Sequence, residues 1–427
     1  MDYRIFPPEE ILETTVSLPP SKSMAVRAAV MAALAGDAAA SARFGDACTD
    51  ARVAADAMAA LNRGDADINV GACGAALRFV TAIAAATPGA DVTVDGTDRL
   101  RRRPMAPLIE ALRSLGADIT CTAAEGFAPL HIRGKRLDGG KVAIDASKSS
   151  QFVSALMLAA PAMTQGLVID PGAHVQSAPY ARLTECMMAH YGITTDTVAV
   201  EGRPAIAVVP GKYRPADIAI EPDWSAADFW YEIAALTAGW VTLKGLRAGS
   251  PQPDAVTAGL FERLGVLTDY TDEGAELSAT PDLFNRLDAD LTDTPDAVPS
   301  LVTTACLIGM PFRLTGVAVL RHKECDRLQA LIDEMRKVGA MLVTEEYDNV
   351  LSWDGRRMPV RELPVFDTYD DHRMAMALAP VAVYIPGIVV RDVEVVDKSY
   401  PGYWDALRAA GFTLADPADP MPATEEP

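Results

Sequence analysis

Leu108-Ile109-Glu110-Ala111-Leu112-Arg113-Ser114-Leu115-Gly116-Ala117-Asp118-Ile119 reads as an amphipathic helix, a glycine that ends it, and the opening of a strand. Glycine suits that place because it enters the left-handed conformation that stops a helix. The same succession returns at 183–192, 256–265, 331–339 and 403–411, and the five closing glycines (Gly116, Gly192, Gly265, Gly339, Gly411) step by 76, 73, 74 and 72 residues. A weaker copy ends at Gly64, offset at 52 residues before Gly116. Short alternating runs at 91–95, 141–145 and 205–209 read as strands. Helix, glycine and strand follow one another in any α/β protein, but four such similar spacings point to a repeated unit. A period above 70 residues is too long for a solenoid and suits an α/β module. Six modules fill the chain, three per domain. A boundary at 219–222 divides them evenly: one domain of 1–19 with 222–427, and an inserted domain of 20–221, the N-terminal strand crossing back.

Length agrees, since 427 residues exceed one ordinary core. The residues 1–18 carry acidic side chains and no basic stretch ahead of an apolar run, so they do not read as a signal peptide. No apolar run reaches the roughly 18 residues a membrane span needs, and 152–163 is at most a core helix. The expectation is a cytoplasmic monomer with no membrane partner. Six scattered cysteines without a C-x-x-C pair read as reduced and mostly buried, and five histidines without ligand spacing give no metal site. A formal net charge of −20 argues against nucleic acid. Several turns are nevertheless rich in Lys and Arg, and an acidic body with a cationic pocket suits a small, highly charged anion.

Pro19-Pro20-Ser21-Lys22-Ser23-Met24-Ala25-Val26-Arg27 runs from a polar loop into an alanine-rich helix that Ser21 or Ser23 can cap. Its free N–H groups and Lys22 favour an anion, and Arg27 lies on the face of Ser23. Ile68-Asn69-Val70-Gly71-Ala72-Cys73-Gly74-Ala75-Ala76-Leu77-Arg78 is a strand, a glycine turn and a helix start, without a nucleotide P-loop pattern. Asp95 to Met105 places Arg99, Arg101, Arg102 and Arg103 ahead of Pro104, where a solvated charge run is the ordinary explanation. Lys148-Ser149-Ser150-Gln151 opens an apolar helix with small donors, and Ser177-Ala178-Pro179-Tyr180 repeats the theme. Lys323, Glu324 and Arg327 are grouped at another helix start, and Asp371-His372-Arg373 sets an arginine at the mouth of a helix too apolar to be exposed. Such an arginine needs an anion. Lys398-Ser399-Tyr400-Pro401 marks the last such turn.

In this order the turns resemble the 5-enolpyruvylshikimate-3-phosphate synthase family of enolpyruvyl transferases. Lys22, Ser23 and Arg27 match its S-K-[ST]-x-x-x-R signature, Gly71 to Arg78 its glycine loop, and Arg99 with Arg103-Pro104 its R-x-x-x-R-P turn. Ser149-Ser150-Gln151, Ser177 and Tyr180 match its contacts to shikimate phosphate. Asp296, Lys323-Glu324 with Asp326-Arg327, Asp371 to Arg373, and Lys398 match its remaining motifs, so the resemblance runs from residue 19 to about 411. It implies an α/β fold of two globules, each of three β-α-β-α-β-β modules, closing over a site between them. It implies transfer of the enolpyruvyl group of phosphoenolpyruvate to the 5-hydroxyl of shikimate 3-phosphate, on the way to the aromatic amino acids, with no metal or organic cofactor.

By the same resemblance Ser149, Ser150, Ser177 and Tyr180 hold the shikimate phosphate, and Ser23 and Arg27 the ring substituents. Lys22, Gln151, Asp296 and Lys323 complete that substrate's contacts. Arg327 and Arg373 fork onto the phosphoenolpyruvate carboxylate, and Lys22, Gly74, Arg99, Gln151 and Lys398 take its phosphate. Glu324 serves the methylene proton and Asp296 the hydroxyl proton, with Lys22 a third acid–base candidate. The chain departs from the family at Pro20, Ala72, Ala75, Asp228 and Val319. Ala72 and Ala75 bear on the phosphoenolpyruvate side, where glyphosate competes, and imply altered sensitivity to it. Two alternatives are a UDP-N-acetylglucosamine enolpyruvyl transferase, disfavoured because Ser23 follows Lys22 and 99–105 has no Cys, and a non-catalytic anion-binding homologue.

Overall fold

A computed structural model describes residues 1–147 and 149–419, so Lys148, quoted above ahead of Ser149, lies outside the described residues. The chain divides into two compact units: Met1–Pro19 with Pro222–Ser250 and Asp254–Pro427, and Pro20–Glu221 with Pro251–Pro253. They are called here the terminal and the inserted unit.

Among the described residues there are five four-stranded sheets, and all five follow one plan. The first strand pairs parallel with the second, the second antiparallel with the fourth, and the fourth antiparallel with the third. In the inserted unit the sheets run, in spatial order, Asp67–Asn69, Asp91–Asp95, Leu130–Arg133, Asp118–Cys121 and Gly140–Ala143, Leu167–Asp170, Arg203–Val208, Thr195–Val200. In the terminal unit two sheets run Glu13–Val16, Trp240–Lys244, Gly274–Ala279, Val266–Tyr270 and Leu287–Asp290, Phe312–Thr315, Val350–Trp353, Val343–Glu345. The last is Val365–Phe366, Ile388–Val390, Tyr3–Phe6, Thr413–Ala415. There the N-terminal strand fills the fourth place.

The periodic glycines explain the plan. Gly116, Gly192, Gly265, Gly339 and Gly411 have φ between 78° and 92°, and each stands just ahead of the third strand of its sheet. Gly64 precedes a first strand instead, which accounts for its offset. Six modules were expected, and five sheets of this plan are found among the described residues. The stretch ahead of Gly64 forms the helices Ala38–Gly45 and Thr49–Arg63, as its alanine content favours.

Each unit is built around apolar helices buried on nearly every face, so they carry no polar stripe. In the inserted unit these are Lys22–Leu34, Gly74–Ala85 and Ser150–Ala159; in the terminal unit, Trp224–Thr237, Val298–Ile308 and His372–Leu378. Alanines such as Ala28, Ala29, Ala76 and Ala82 let the first set pack closely, while Trp224, Phe229, Trp230 and Tyr231 fill the second. Burying one phenylalanine such as Phe79 or Phe152 contributes about 1.5–3 kcal/mol. Five of these six helices begin at the motif-bearing turns: Lys22, Gly74, Ser149–Gln151, the turn after Asp296, and Asp371–Arg373. Among the described residues no helix is long and apolar enough to cross a membrane.

Candidate active site

In the terminal unit four cations and three carboxylates form one ionic lattice. Arg327, 1% exposed, opens the helix Arg327–Lys337 and uses its whole guanidinium. Nη1 donates to Asp296 Oδ1 at 2.7 Å and Nη2 to Glu324 Oε2 at 2.9 Å. Nε and Nη2 donate to the two oxygens of Asp371 at 2.7 and 3.2 Å. Asp296 also receives Lys323 Nζ at 3.1 Å and Arg373 Nη2 at 3.2 Å, and Lys398 Nζ lies 3.3 Å from Glu324 Oε1. The turns that present these groups are short and capped. Asp326 accepts from Gln329 N and Asp371 from Arg373 N, each at 3.0 Å.

The electrostatics follow from that packing. Burial alone would push the Asp296 carboxyl up, but Arg373, Lys323 and Arg327 together hold it well below the usual carboxylate range. Burial pulls Lys323 down, partly offset by Asp296. Arg327 is pushed far up because three carboxylates outweigh its desolvation. Asp228 is fully buried on the helix Trp224–Thr237 and accepts from Thr257 Oγ1 at 2.5 Å. Burial, then the charge of Asp254, pushes its carboxyl well up, against the pull of Arg373. Asp254, hydrogen-bonded to Ser225, is raised by burial and by Asp296.

In the inserted unit the central group is Arg27, 3% exposed. It donates to Thr184 Oγ1 at 2.8 Å, Ser154 Oγ at 3.3 Å, and the carbonyls of Ser23 at 2.9 Å and Tyr180 at 3.4 Å. Its guanidinium lies 5.6 and 5.8 Å from the ring centres of Phe79 and Tyr180. Among the described residues it has no carboxylate, and burial draws it down to about 10. Lys22 opens its helix 3.9 Å from Asp50 Oδ2, while Ser21 occupies the cap position without making the side-chain cap bond. Ser149 caps Ser150–Ala159 by accepting from Gln151 N at 3.2 Å, Ser150 is buried, and Gln151 Oε1 is buried with no hydrogen-bond partner among the described residues. Ser177 is held at φ 56° just before the Tyr180 helix.

The glycine turn brings in an arginine other than Arg99. A Cβ on Gly74 would meet Arg103 Nη1 at 2.5 Å and Arg78 Nη1 at 2.6 Å, so two guanidiniums crowd that glycine. Arg78 donates to the Gly74 carbonyl at 2.8 Å and lies over the Phe152 ring. Arg103 is thus the arginine of its turn brought to Gly74, whereas Arg99 is exposed. The structure gathers Asp296, Lys323, Glu324, Arg327, Arg373 and Lys398 in one unit, and Ser23, Arg27 and Tyr180 in the other. Asp371 and Arg103 were quoted in motifs but not nominated. The available signal for Asp371 was its place at the mouth of the apolar helix that carries Arg373, where an aspartate can cap, and for Arg103 it was the adjacent Pro104.

The sheet plan and these helix-mouth turns define an enolpyruvyl transferase fold. A solved EPSP synthase from Acinetobacter baumannii superposes with a TM-score of 0.71 at 20% identity, covering 97% of this chain and 100% of that one. The enolpyruvyl transferase NikO from Streptomyces tendae gives 0.66 at 15% identity over 97% and 98%. A family model of EPSP synthase (3-phosphoshikimate 1-carboxyvinyltransferase) matches residues 45–407. A 3-phosphoshikimate 1-carboxyvinyltransferase of Bacteroides fragilis is 41% identical over 97% of this chain and 99% of its own length. One of Syntrophobacter fumaroxidans is 34% identical over 93% and 96%. The chain belongs to the EPSP synthase family.

Proposed function

We propose that the chain carries out the reaction of its family, moving the enolpyruvyl group of phosphoenolpyruvate onto the 5-hydroxyl of shikimate 3-phosphate and releasing inorganic phosphate. The observation that carries this reading is the lattice around Arg327, where protein carboxylates occupy forked guanidiniums suited to a substrate carboxylate. When phosphoenolpyruvate brings its carboxylate to Arg327 and Arg373, it displaces Asp296 and Glu324 from them. Asp296 then loses part of the field that keeps it ionised and becomes a stronger base for the 5-hydroxyl proton. Glu324, freed from Arg327, takes up a proton from solvent and delivers it to the methylene carbon. The hydroxyl oxygen bonds to the neighbouring carbon, giving a tetrahedral adduct. Loss of a methyl proton to Glu324, which returns it to solvent, and cleavage of the carbon–oxygen bond restore the double bond, and the departing phosphate takes the hydroxyl proton held by Asp296.

The remaining assignments follow the same chemistry. Ser149, Ser150, Ser177, Gln151 and Tyr180 take the shikimate phosphate and Ser23 and Arg27 the ring substituents, with Asp296 and Lys323 at the 5-hydroxyl. Lys22, Gly74, Gln151 and Lys398 take the phosphoenolpyruvate phosphate, and Arg103 replaces Arg99 among them because it lies at Gly74. A phosphate carries about −1.5 to −2, which suits a buried Arg27 and a lattice rich in cations. The reading takes the chain as a cytoplasmic monomer binding neither nucleic acid nor membrane. Its net charge of −20, which repels phosphate backbones, anionic lipid and further copies, supports that. Phosphate release is the test. It should require both substrates together, and release that is absent, or that persists without shikimate 3-phosphate, overturns the reading.

A further inference from the structure

Seven residues beyond Arg327, on the same helix, Glu334 is fully buried. Its Oε1 accepts from the Tyr369 hydroxyl at 2.7 Å, and its Oε2 from Lys337 Nζ at 2.6 Å and Asp367 N at 3.2 Å. Lys337 donates in turn to the Val365 carbonyl at 2.8 Å and lies 5.9 Å from the centre of the Phe366 ring. The segment so gripped ends in an unusual turn. Tyr369 and Asp370, both with side chains, are held at φ 55°, a conformation that favours glycine. The next residue is Asp371, which binds Arg327 and caps the helix carrying Arg373. Segment 365–371 is therefore fastened twice to one helix, by Arg327 at its start and by Glu334 about 10 Å along it. Asp371 N closes the turn by donating to the Thr368 carbonyl at 2.9 Å, and the Tyr369 hydroxyl on Glu334 ties it to the helix.

We propose that Glu334 is a positioning residue: its carboxylate holds the left-handed Tyr369-Asp370 turn, and the turn sets Asp371 so that Arg327 and Arg373 are presented as a carboxylate fork. Glu334 itself touches no reacting group. The inference rests on the reading of Arg327 and Arg373 as the phosphoenolpyruvate fork given above.

The test uses the full chain and steady-state phosphate release. Glu334→Gln should raise KM for phosphoenolpyruvate about tenfold, the scale of one lost charged hydrogen bond, and leave KM for shikimate 3-phosphate within about twofold. Replacing exposed Asp370 with glycine in the Glu334→Gln background should recover most of that loss, because glycine adopts the left-handed turn unaided. A merely structural role for Glu334 predicts no such rescue. Tyr369→Phe, which removes only the hydroxyl, should shift the same KM in the same direction, and it stands as the test should Glu334→Gln fail to fold. An unchanged phosphoenolpyruvate KM, an equal rise for both substrates, or absence of rescue overturns the proposal. If the unaltered chain releases no phosphate, it is the functional reading that fails; if it does and the variants behave like it, only the role of Glu334 fails.

Discussion

Arg27 makes the case for function at the scale of one residue. A buried guanidinium that donates to two hydroxyls and two carbonyls, with no carboxylate among the described residues, is a cation awaiting an anion. At about 10 it is still protonated at neutral pH. Lysine keeps the charge but offers a point donor in place of a planar fork, so it cannot serve Thr184, Ser154 and a ligand together. Arg27→Lys should raise KM for shikimate 3-phosphate by about ten- to a hundredfold, as one or two charged hydrogen bonds are lost. KM for phosphoenolpyruvate should move little, and equal rises for both would place Arg27 elsewhere in the chemistry. The sequence revealed Arg27 through its position four residues after Ser23, on the same helical face, and through the family signature that it completes. It could not reveal Ser154 and Thr184, which packing brings from 127 and 157 residues away. Asp371 and Glu334 escaped for the same reason, since a buried carboxylate acquires its meaning from partners on other elements.

At the scale of the element, helix ends were the legible feature. A left-handed residue after an amphipathic run leaves glycine in the sequence, and five such glycines map onto the third strands of five sheets. The sixth module is where local preference and the repeat disagree, because 38–45 is nearly all alanine and small residues and folds as helix. The arginine-rich turn shows a finer limit. Its helix, Asp98–Arg101, lasts one turn, and Arg101 is tied to Asp95 at 2.6 Å and to Asp98 at 3.1 Å. The chain has left the helix by Arg103, so Arg99 and Arg103 do not share the helical face that a continuous helix would give them. Arg103→Ala should raise KM for phosphoenolpyruvate about tenfold or more, as loss of a charged partner would, while Arg99→Ala leaves it unchanged. The reverse ranking would return the assignment to Arg99. Steady-state phosphate release on the two variants side by side decides between them.

For the whole molecule, what matters is which state holds more protons. The terminal unit buries Asp228, Asp254 and Glu232, and neither oxygen of Glu232 has a hydrogen-bond partner among the described residues. Burial first, and the charge of Asp228 second, push the Glu232 carboxyl well above the usual range. Asp228 is pushed up in the same way by burial and Asp254. Below the ordinary carboxyl value of about 4 both folded and unfolded chains hold these protons, and no difference arises. Above it the unfolded chain releases them while the folded chain keeps them, so stability falls as pH rises toward the raised values. Asp296, held low, acts in a separate window: its contribution is present above about 4 and is lost only as pH falls below that. Glu232→Gln keeps the shape of the protonated acid and removes its titration. Its stability relative to the unaltered chain should be near parity at pH 4 and should improve with rising pH, by at most about 1.4 kcal/mol per pH unit. Urea unfolding followed by tryptophan emission reports on this unit specifically, because all five tryptophans lie in it. A difference between the two proteins that stays constant from pH 4 to pH 8 would mean that Glu232 ionises in the folded state much as it does in the unfolded chain, and that its burial is compensated by a partner.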